Sequence, residues 1–255
     1  MAESPCISVI VPFFNNELTL ATCIESLLDQ ASVGGDHEIL LINNRSTDHS
    51  PSIAAHYPEV TVLEEPRAGA YTARNTAIRR ARAPLLAFTD ADCVAASDWL
   101  RSILDGMMDP AIAILLGHFR YPASATWGLR LLGAYENAKV DYVLQRCEAD
   151  HYFGYANNMA VRSSVFEELG PFKEWKRAAD SELLHRLAAR RPDLQVAYRP
   201  SMRVTHLEFL HTRDRVRRMS LYTKTNTQIE TFKELSAAQR VGVAWRLLSH
   251  WQAYQ

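Results

Sequence analysis

Residues 84–93 read PLLAFTDADC, a short apolar run that ends in two aspartates separated by one residue. A continuous apolar run of this length is typical of a strand that is buried on both faces of a sheet. Two like charges directly after an apolar run indicate that the strand ends there, so Asp90 and Asp92 are predicted to lie on a turn from which they can serve one ligand. Such a turn lets both carboxylates approach a hard cation, Mn²⁺ or Mg²⁺. For an isolated pair, a solvated turn or a helix cap is the alternative.

The preceding residues repeat the same alternation of apolar runs and helical patterns. Strands are predicted at residues 7–11, 38–42, 60–63 and 84–89, and helices at 17–30, from Ser50-Pro51 onward and at 70–82. Continuous strands separated by helices predict an α/β fold with a mostly parallel sheet flanked by helices. Ligands bind at the carboxyl ends of such strands, where the polar clusters 13–17, 43–48 and 90–92 all fall. One crevice shared by three loops is therefore expected.

The second half of the chain is less regular. Helices are predicted at 98–108, 127–146, 163–169 and around Leu183 to Ala188, and strands within 111–122, 194–198 and 202–207, whereas segment 153–162 is given no element type. From His211 the composition becomes basic and amphipathic, which predicts C-terminal helices lying against the main domain. Its basic residues have three possible roles: a solvated helix face, a lid over a diphosphate, or contact with an anionic membrane. They are Arg213, Arg215, Arg217, Arg218 and Lys224.

Composition narrows the function classes. The 255 residues include 28 basic and 29 acidic ones, so no overall positive field favours nucleic acid as a partner. The four cysteines are scattered without a CxxC pair, which favours a reducing compartment and free thiols. The first residues lack the basic start of a secretory signal, and no apolar run is long enough to cross a bilayer. We therefore expect a cytoplasmic globular protein, with peripheral contact at the inner membrane face as one option.

Four segments together resemble the family 2 glycosyltransferases. These are ISVIVPFFNNE (7–17), ILLINNRSTD (39–48), RAGAYTARNTAIRRARAPLLAFTDADC (67–93) and GYANNMAVRSSVFEELGPFKEWKRAADSELLHRL (154–187), in the order and spacing of that family. The resemblance covers residues 7–206. It implies a GT-A type nucleotide-diphospho-sugar transferase fold, with a nucleotide-sugar half at about 1–95 and an acceptor half at about 96–210. Residues 211–255 would be a C-terminal helical appendage.

The resemblance also implies residue roles on the donor side. The nucleoside pocket would be lined by Pro12, Phe14, Glu17, Asn43 and Asp48. Asn43 stands where the family often has an aspartate; its amide oxygen can still accept a hydrogen bond from a base, without charge assistance. The diphosphate or ribose would be contacted by Arg74, Asn75 and Asp90, although Arg74 could instead be a solvated helix residue. Asp92 would bind the metal, assisted by Asp90 and His206, with a purely structural histidine as the alternative.

On the acceptor side, the resemblance points to Asp180 as the catalytic base. The family commonly has Glu-Asp here, whereas this chain has Ala179-Asp180. The start of a helix would favour the ionised form of Asp180, and a plain N-cap is the alternative. Contacts with the acceptor are expected from Trp175, Glu182 and Asn158. Trp175 could equally pack beside Phe172.

The function implied is a metal-dependent, inverting glycosyltransferase with UDP as the expected donor nucleotide. The QxxRW motif of processive synthases is absent, which favours single additions to a glycan, a lipid-linked acceptor or a small molecule. A catalytically degenerate nucleotide-sugar-binding module is the rival, since Asn43 and Ala179 depart from the family pattern. A sugar nucleotidyltransferase is disfavoured, because the loop PFFNNE after the first strand contains no glycine.

Overall fold

The computed structural model describes residues 5–31 and 37–207. Its strands are β1 Ile7–Phe13, β2 His37–Asn43, β3 Thr61–Glu64, β4 Leu85–Thr89, β5 Cys93–Ala95, β6 Ile112–Arg120, β7 Asn158–Arg162 and β8 Gln195–His206. Its helices are α1 Leu20–Leu28, α2 Ser50–Ala54, α3 Ala70–Ile78, α4 Trp99–Gly106, α5 Trp127–Arg146, α6 Ser163–Leu169 and α7 Ala179–Arg190, with a 3-10 turn at Ala149–His151. Within these residues, the strands form one sheet in the order β3-β2-β1-β4-β7-β6-β8-β5.

The half of the sheet formed by β3, β2, β1 and β4 is parallel, as predicted. All seven residues of β1 are buried, as expected for a strand covered on both faces. The strand continues through Pro12 to Phe13, two residues beyond the predicted end. Its pairing with β4 stops at Ile10, so the residues around Pro12 have β2 as their ladder partner. A proline is tolerated where a strand lacks a neighbour on one side.

The other half of the sheet is mixed. β7 is antiparallel to both β4 and β6, β6 is parallel to β8, and the short β5 is antiparallel to β8. The two predicted segments 194–198 and 202–207 are one strand, β8, which pairs with β6 through a shift of register between Gly117 and His118. The prediction of a mostly parallel sheet therefore holds best for the first half.

The hydrophobic core lies on both faces of the sheet. On one face Trp99 of α4 is fully buried. On the other, the rings of Phe88, Phe166 and Phe172 meet edge to face at centroid distances of 5.1–5.9 Å. Each fully buried large side chain stabilises the fold by roughly 1.5–3 kcal/mol. Phe88 is the penultimate residue of β4, so this packing lies next to the carboxyl end of that strand.

The predicted C-terminal appendage lies outside the described residues. This applies to its basic residues named above and to the apolar residues Trp245, Leu248 and Trp251. None of the helices within 5–31 and 37–207 combines the length and the apolar character that a membrane crossing requires.

Candidate active site

The two aspartates of the DxD segment lie on a turn between β4 and β5, as predicted. The amide of Cys93 donates a hydrogen bond to the carbonyl of Asp90 at 3.0 Å and closes this turn. Because the backbone leaves the strand geometry here, the two carboxylates reach different partners. Asp90 is the more exposed of the two, at 36% against 16% for Asp92.

Asp92 lies beside His206, the last residue of β8. The His206 Nε2 and Asp92 Oδ2 atoms are 3.8 Å apart, and Cys93 pairs with His206 between β5 and β8. The amide of Leu207 also donates to the carbonyl of Asp92 at 2.8 Å. Burial raises the pKa of the Asp92 carboxyl; His206 opposes this shift and Asp90 reinforces it. The pairing of β5 with β8 therefore brings together two groups that are distant in sequence.

These side chains fit a divalent cation. Possible ligand atoms of Asp92, Cys93 and His206 all lie within 4.8 Å of one another. Burial raises the pKa of the Cys93 thiol well above its ordinary value, and sulfur ligands select softer metals than Mn²⁺ or Mg²⁺. A carboxylate oxygen and an imidazole nitrogen remain, a donor pair that Mn²⁺ accepts.

Asp90 forms an ion pair with Arg74 of α3. Arg74 is only 4% exposed, so it is not a solvated helix arginine. The carbon at the centre of its guanidinium lies 5.4 Å from the ring centroid of Tyr71, within the range of a cation–π contact. Arg74 is thus fixed on two sides, beside the acidic turn.

The loops after β1 and β2 are joined by hydrogen bonds. The amide of Glu17 donates to Asp48 Oδ2 at 3.0 Å, and the amide of His49 donates to Glu17 Oε2 at 3.1 Å. Phe14 is 57% exposed beside them, whereas Pro12 is buried within β1. Glu17 and Asp48 therefore brace the two loops, and Phe14 offers an open aromatic face at this edge of the sheet.

Asp180 lies in the first turn of α7 and is buried. Its Oδ2 accepts a hydrogen bond from the amide of Ala156 at 3.0 Å, and its Oδ1 accepts one from the amide of Ser181 at 2.9 Å. The residue before the helix is Ala178, in a left-handed conformation with φ of 63°, and no side chain caps the helix. The N-cap alternative for Asp180 is therefore wrong.

The electrostatic prediction for Asp180 is also wrong. Burial raises the pKa of its carboxyl above the ordinary value, while hydrogen bonds from Ser181, Tyr71 and Ala156 oppose the shift. The helix start was expected to favour the ionised form, but desolvation in this site outweighs the donors around it. A buried carboxylate with a raised pKa is a stronger base than an exposed one.

Two predicted site residues have structural partners instead. Asn158 is fully buried; its amide accepts from Trp99 Nε1 and donates to the carbonyls of His118 and Met202, at 2.9–3.0 Å. It cannot contact an acceptor, because no part of it is exposed. Asn75 bonds the amide and the carbonyl of Phe172 at 3.0 and 2.9 Å. A contact with diphosphate or ribose is therefore not supported for Asn75.

The remaining predicted acceptor residues lie near Asp180 in the chain. Trp175 is partly buried in the segment that leads to α7. Glu182 forms an ion pair with Arg186 at 3.0 Å, four residues along the same helix. Glu182 therefore has an ion-pair partner within its own helix, and Trp175 keeps an exposed part that an acceptor can reach.

Comparison with known proteins identifies the family. The family model described as Glycosyl transferase family 2 matches residues 8–170, more than half of the chain. The chain belongs to glycosyl transferase family 2. Among curated relatives, Glycosyltransferase AglE of Haloferax volcanii is 26% identical over 175 residues, which are 66% of this chain and 56% of AglE. The Uncharacterized glycosyltransferase YibD of Escherichia coli is 42% identical over 90 residues, 34% of this chain and 26% of YibD. The family 2 chain described here thus spans about half or less of these relatives.

Solved structures show that the family 2 chain has the GT-A fold. Mannosyltransferase PcManGT from Pyrobaculum calidifontis, in complex with GDP-Man and Mn²⁺, superposes with a TM-score of 0.70 at 19% identity. The match covers 99% of this chain and 76% of that one. Glucosyl-3-phosphoglycerate synthase from Mycobacterium tuberculosis, in complex with Mn²⁺, UDP and phosphoglyceric acid, gives 0.64 at 17% identity, covering 91% and 80%.

Asn43 is the clearest departure from the expected family 2 pattern, and it has a local partner. Its Nδ2 donates to both carboxylate oxygens of Glu64 at 2.9 and 3.1 Å, and its Oδ1 accepts from the amide of Ser46 at 2.9 Å. An aspartate at position 43 would place a second negative charge against Glu64. The neutral side-chain amide of Asn43 therefore suits its neighbour Glu64, whose carboxylate lies at the end of β3.

Sequence reasoning missed Tyr71 and Glu64. Tyr71 lies three residues before Arg74 on α3, a spacing that puts both side chains on one face of the helix. This spacing could have drawn attention to Tyr71 within the AYTARN segment. Glu64 could not have been found, since its relation to Asn43 depends on the pairing of β2 with β3.

Proposed function

We propose that this chain is a metal-dependent, inverting, non-processive glycosyltransferase that moves a sugar from a nucleoside diphosphate to an acceptor hydroxyl. One observation carries the proposal. The positive charge of Arg74, which is paired with Asp90, acts on the buried carboxylate of Asp180, and Asp92 of the same turn lies beside His206. A candidate base and a candidate cation site are thus linked through Arg74, which suits a displacement at a sugar carbon.

On the donor side, we propose that the nucleoside lies at the edge formed by Phe14, Glu17, Asp48 and Asn43. Phe14 offers a face on which a base can stack. Glu64, held by Asn43, supplies a carboxylate that can accept a hydrogen bond from a ring N–H. Uracil and guanine both present such a donor. Uridine remains the first nucleotide to test, and guanosine is the second.

At the diphosphate, we propose that Asp92 and His206 hold Mn²⁺ or Mg²⁺, with Asp90 close by. The cation, when bound, neutralises charge that develops on the leaving diphosphate. Arg74 keeps its guanidinium beside the same turn and adds a fixed positive charge. The chain's own part in this step is to orient the diphosphate and to keep its charge compensated.

At the sugar, Asp180 acts as the general base. The acceptor oxygen attacks the anomeric carbon opposite the leaving diphosphate, its proton passes to Asp180, and the bond to the diphosphate breaks. This direct displacement inverts the configuration at the anomeric carbon. The raised pKa of the buried Asp180 carboxyl brings its basicity closer to that needed at neutral pH. Trp175 and Glu182 are proposed to contact the acceptor.

In this chemistry the acceptor can be any accessible hydroxyl, whether it belongs to a glycan, a lipid-linked sugar or a small molecule. A lipid-linked acceptor would suit a cytoplasmic enzyme held at the inner membrane face by the basic residues of segment 211–255. The rival proposal is a binding module without turnover. It is supported by Ala179 and Asn43, whereas the intact carboxylates of Asp90, Asp92 and Asp180 argue against it.

The decisive experiment titrates UDP, GDP and TDP calorimetrically into the protein, with Mn²⁺ and again with a chelator. The matching sugar nucleotides are then assayed for transfer. We expect one nucleotide to bind only with metal. We expect Asp180→Asn to keep that binding while transfer falls by about 10²- to 10⁴-fold. Asp150→Asn, an exposed carboxylate in the turn before β7, is the matched control and should transfer normally. Binding without any transfer would favour the binding module, and metal-independent binding would overturn the cation site.

A further inference from the structure

The outer face of α5 carries large exposed apolar side chains at the start of the helix. Trp127 is 75% exposed, and Leu131, one turn later, is 52% exposed. A spacing of four residues places both side chains on one face of the helix. The inward face is buried, as at Leu129 and Gly133. Side chains of this size gain free energy when they leave water, so their shared exposure indicates a surface for a partner.

This face begins at the edge of the sheet where the candidate site lies. β6 is parallel to β8, and Arg120 at its end pairs with Thr205, next to His206. The chain continues through Tyr121, whose ring centroid is 6.4 Å from that of His206. Tyr121 also supports α5 from inside, since a Cβ atom at Gly133 would lie 3.0 Å from its ring. The start of α5 is therefore held close to the proposed cation site.

The segment that carries this face is positively charged. Arg120 and Arg130 are exposed, and the stretch 120–135 contains no aspartate or glutamate. Arg130 follows Trp127 by three residues, so the two side chains are neighbours on the helix surface. Tryptophan and leucine beside arginine are typical of helices that lie in a membrane interface. There the apolar parts enter the boundary of the acyl chains, while the guanidinium groups meet anionic headgroups.

We propose that Trp127, Arg130 and Leu131 form a docking surface for an anionic lipid bilayer. A bilayer offers both an apolar boundary and negative charge, which complements this face. A second copy of the chain fits less well, because a two-fold contact through the same face would bring Arg130 against Arg130. The lipid contact stands without the proposed function. Its use, to bring a lipid-linked acceptor to Asp180, rests on that function.

The contact should be reversible. Two apolar side chains and two arginines are far from the apolar length of a membrane-spanning helix. Salt screens the attraction between arginines and headgroups. We therefore expect binding that requires anionic lipid and that weakens as the salt concentration rises.

The test is co-sedimentation of the full chain with lipid vesicles. One set of vesicles is phosphatidylcholine alone, and the other is phosphatidylcholine mixed with phosphatidylglycerol. We expect binding to the mixed vesicles only. The double variant Trp127→Ser/Leu131→Ser should lose about ten-fold or more in affinity, because it removes the apolar contact. Arg130→Gln should lose about five-fold at low salt and less at high salt.

Two control variants match these changes elsewhere on the surface. Met108→Ser removes an apolar side chain that is 79% exposed just before β6 begins, at the opposite edge of the sheet. Arg101→Gln removes one exposed arginine of α4 and so matches the loss of charge. Both should bind the mixed vesicles as the unchanged chain does. A second readout is depth: brominated lipids should quench tryptophan fluorescence in the unchanged chain, and Trp127→Phe should remove most of that quenching.

The outcomes separate this inference from the proposed function. Weaker vesicle binding in the α5 variants, with unchanged calorimetry of UDP or GDP and Mn²⁺, supports the lipid contact. If the double variant binds vesicles as tightly as the unchanged chain, the inference is wrong and any lipid contact lies elsewhere, as in the basic segment 211–224. If the unchanged chain ignores vesicles and forms a dimer that the double variant breaks, the face is an interface between copies, and the inference is overturned. Normal transfer by Asp180→Asn would instead remove the proposed function and leave the vesicle result in place.

Discussion

The two halves of the sheet differ in how they are built. The half proposed to bind the donor, β3-β2-β1-β4 with its helices, pairs all its strands in parallel, and its four strands are consecutive in the chain. The half proposed to bind the acceptor, β7-β6-β8-β5, is mixed, and its β5 and β8 bring Cys93 against His206. The strands of this donor half all come from residues 7–89, whereas those of the acceptor half come from segments between 93 and 206.

This difference extends to the candidate site. The donor-side polar residues bond one another, as in the pairs Glu17 with Asp48 and Asn43 with Glu64. The groups proposed for chemistry instead join the two halves: Asp92 lies beside His206, and the charge of Arg74 of α3 acts on Asp180 of α7. Under the proposed function, a substitution within one half can therefore alter nucleotide recognition, whereas the chemical step requires both halves.

The strongest test of this comparison is Asp92→Asn. The change keeps the shape of the side chain and removes the charge proposed to bind the cation beside His206. We expect metal-dependent nucleotide affinity to fall by about 100-fold or more, since even partners of a metal ligand contribute 10- to 100-fold. Transfer should fall with it, measured by calorimetry with Mn²⁺ and by product formation.

The matched control for this test is Asp105→Asn, an exposed carboxylate of α4 that pairs with Arg101 at 3.2 Å. It should bind and transfer as the unchanged chain does. If Asp92→Asn still bound the nucleotide in an Mn²⁺-dependent manner, the cation site would not lie beside Asp92 and His206. The two halves would then be joined only by packing.

A smaller effect is expected from Asn75→Ala, which breaks the buried link between α3 and Phe172. The substitution leaves the amide and the carbonyl of Phe172 without their partner, at a cost of about 1–3 kcal/mol in the free energy of unfolding. Nucleotide affinity should stay within about three-fold, because Asn75 lines a cavity with Pro84 and Phe166, near the start of β4.

Urea unfolding and calorimetry check both parts of that expectation. Asn137→Ala is the matched control: Asn137 is equally buried and bonds Phe119 and Gly133, but only within the acceptor half. Both variants should lose similar stability. A ten-fold loss of nucleotide affinity in Asn75→Ala alone would restore the sequence prediction of a phosphate contact.

Much of the fold could be predicted because the relevant signals are local. The helices α5 and α6 begin and end at the predicted residues, Trp127–Arg146 and Ser163–Leu169. By contrast, β5 has three residues and exists only through its pairing with β8. The continuity of β8 was hidden because Pro200 lies between Arg199 and Arg203, where the register with β6 shifts. A proline there has no N–H to offer a ladder.

The candidate site was harder to predict than the fold. Sequence indicated that Asp90 and Asp92 lie on a turn, because two like charges directly after a buried apolar run mark the end of a strand. It could not distinguish Asn75 and Asn158 from ligand contacts, since a buried amide that bonds main chain looks the same in sequence as one that bonds a substrate. It also misjudged the pKa of Asp180, because the depth of burial depends on the packing of Tyr71 and Ala156 around it.

The smallest effect is expected from Glu174→Ala, which removes an exposed contact between the halves. Glu174 pairs with Arg67 at 3.0 Å, with both side chains about half exposed, and Arg67 keeps its second partner, Glu65. Water and salt screen such a pair, so its loss should cost at most about 0.2–1 kcal/mol and vanish at high salt. Glu168→Ala, which removes an exposed contact with Arg191 within the acceptor half, should behave alike in urea unfolding. A loss of unfolding free energy as large as that of Asn75→Ala would mean that exposed charge pairs hold the two halves together. We expect a smaller loss, because the buried amide of Asn75 makes the stronger link between α3 and Phe172.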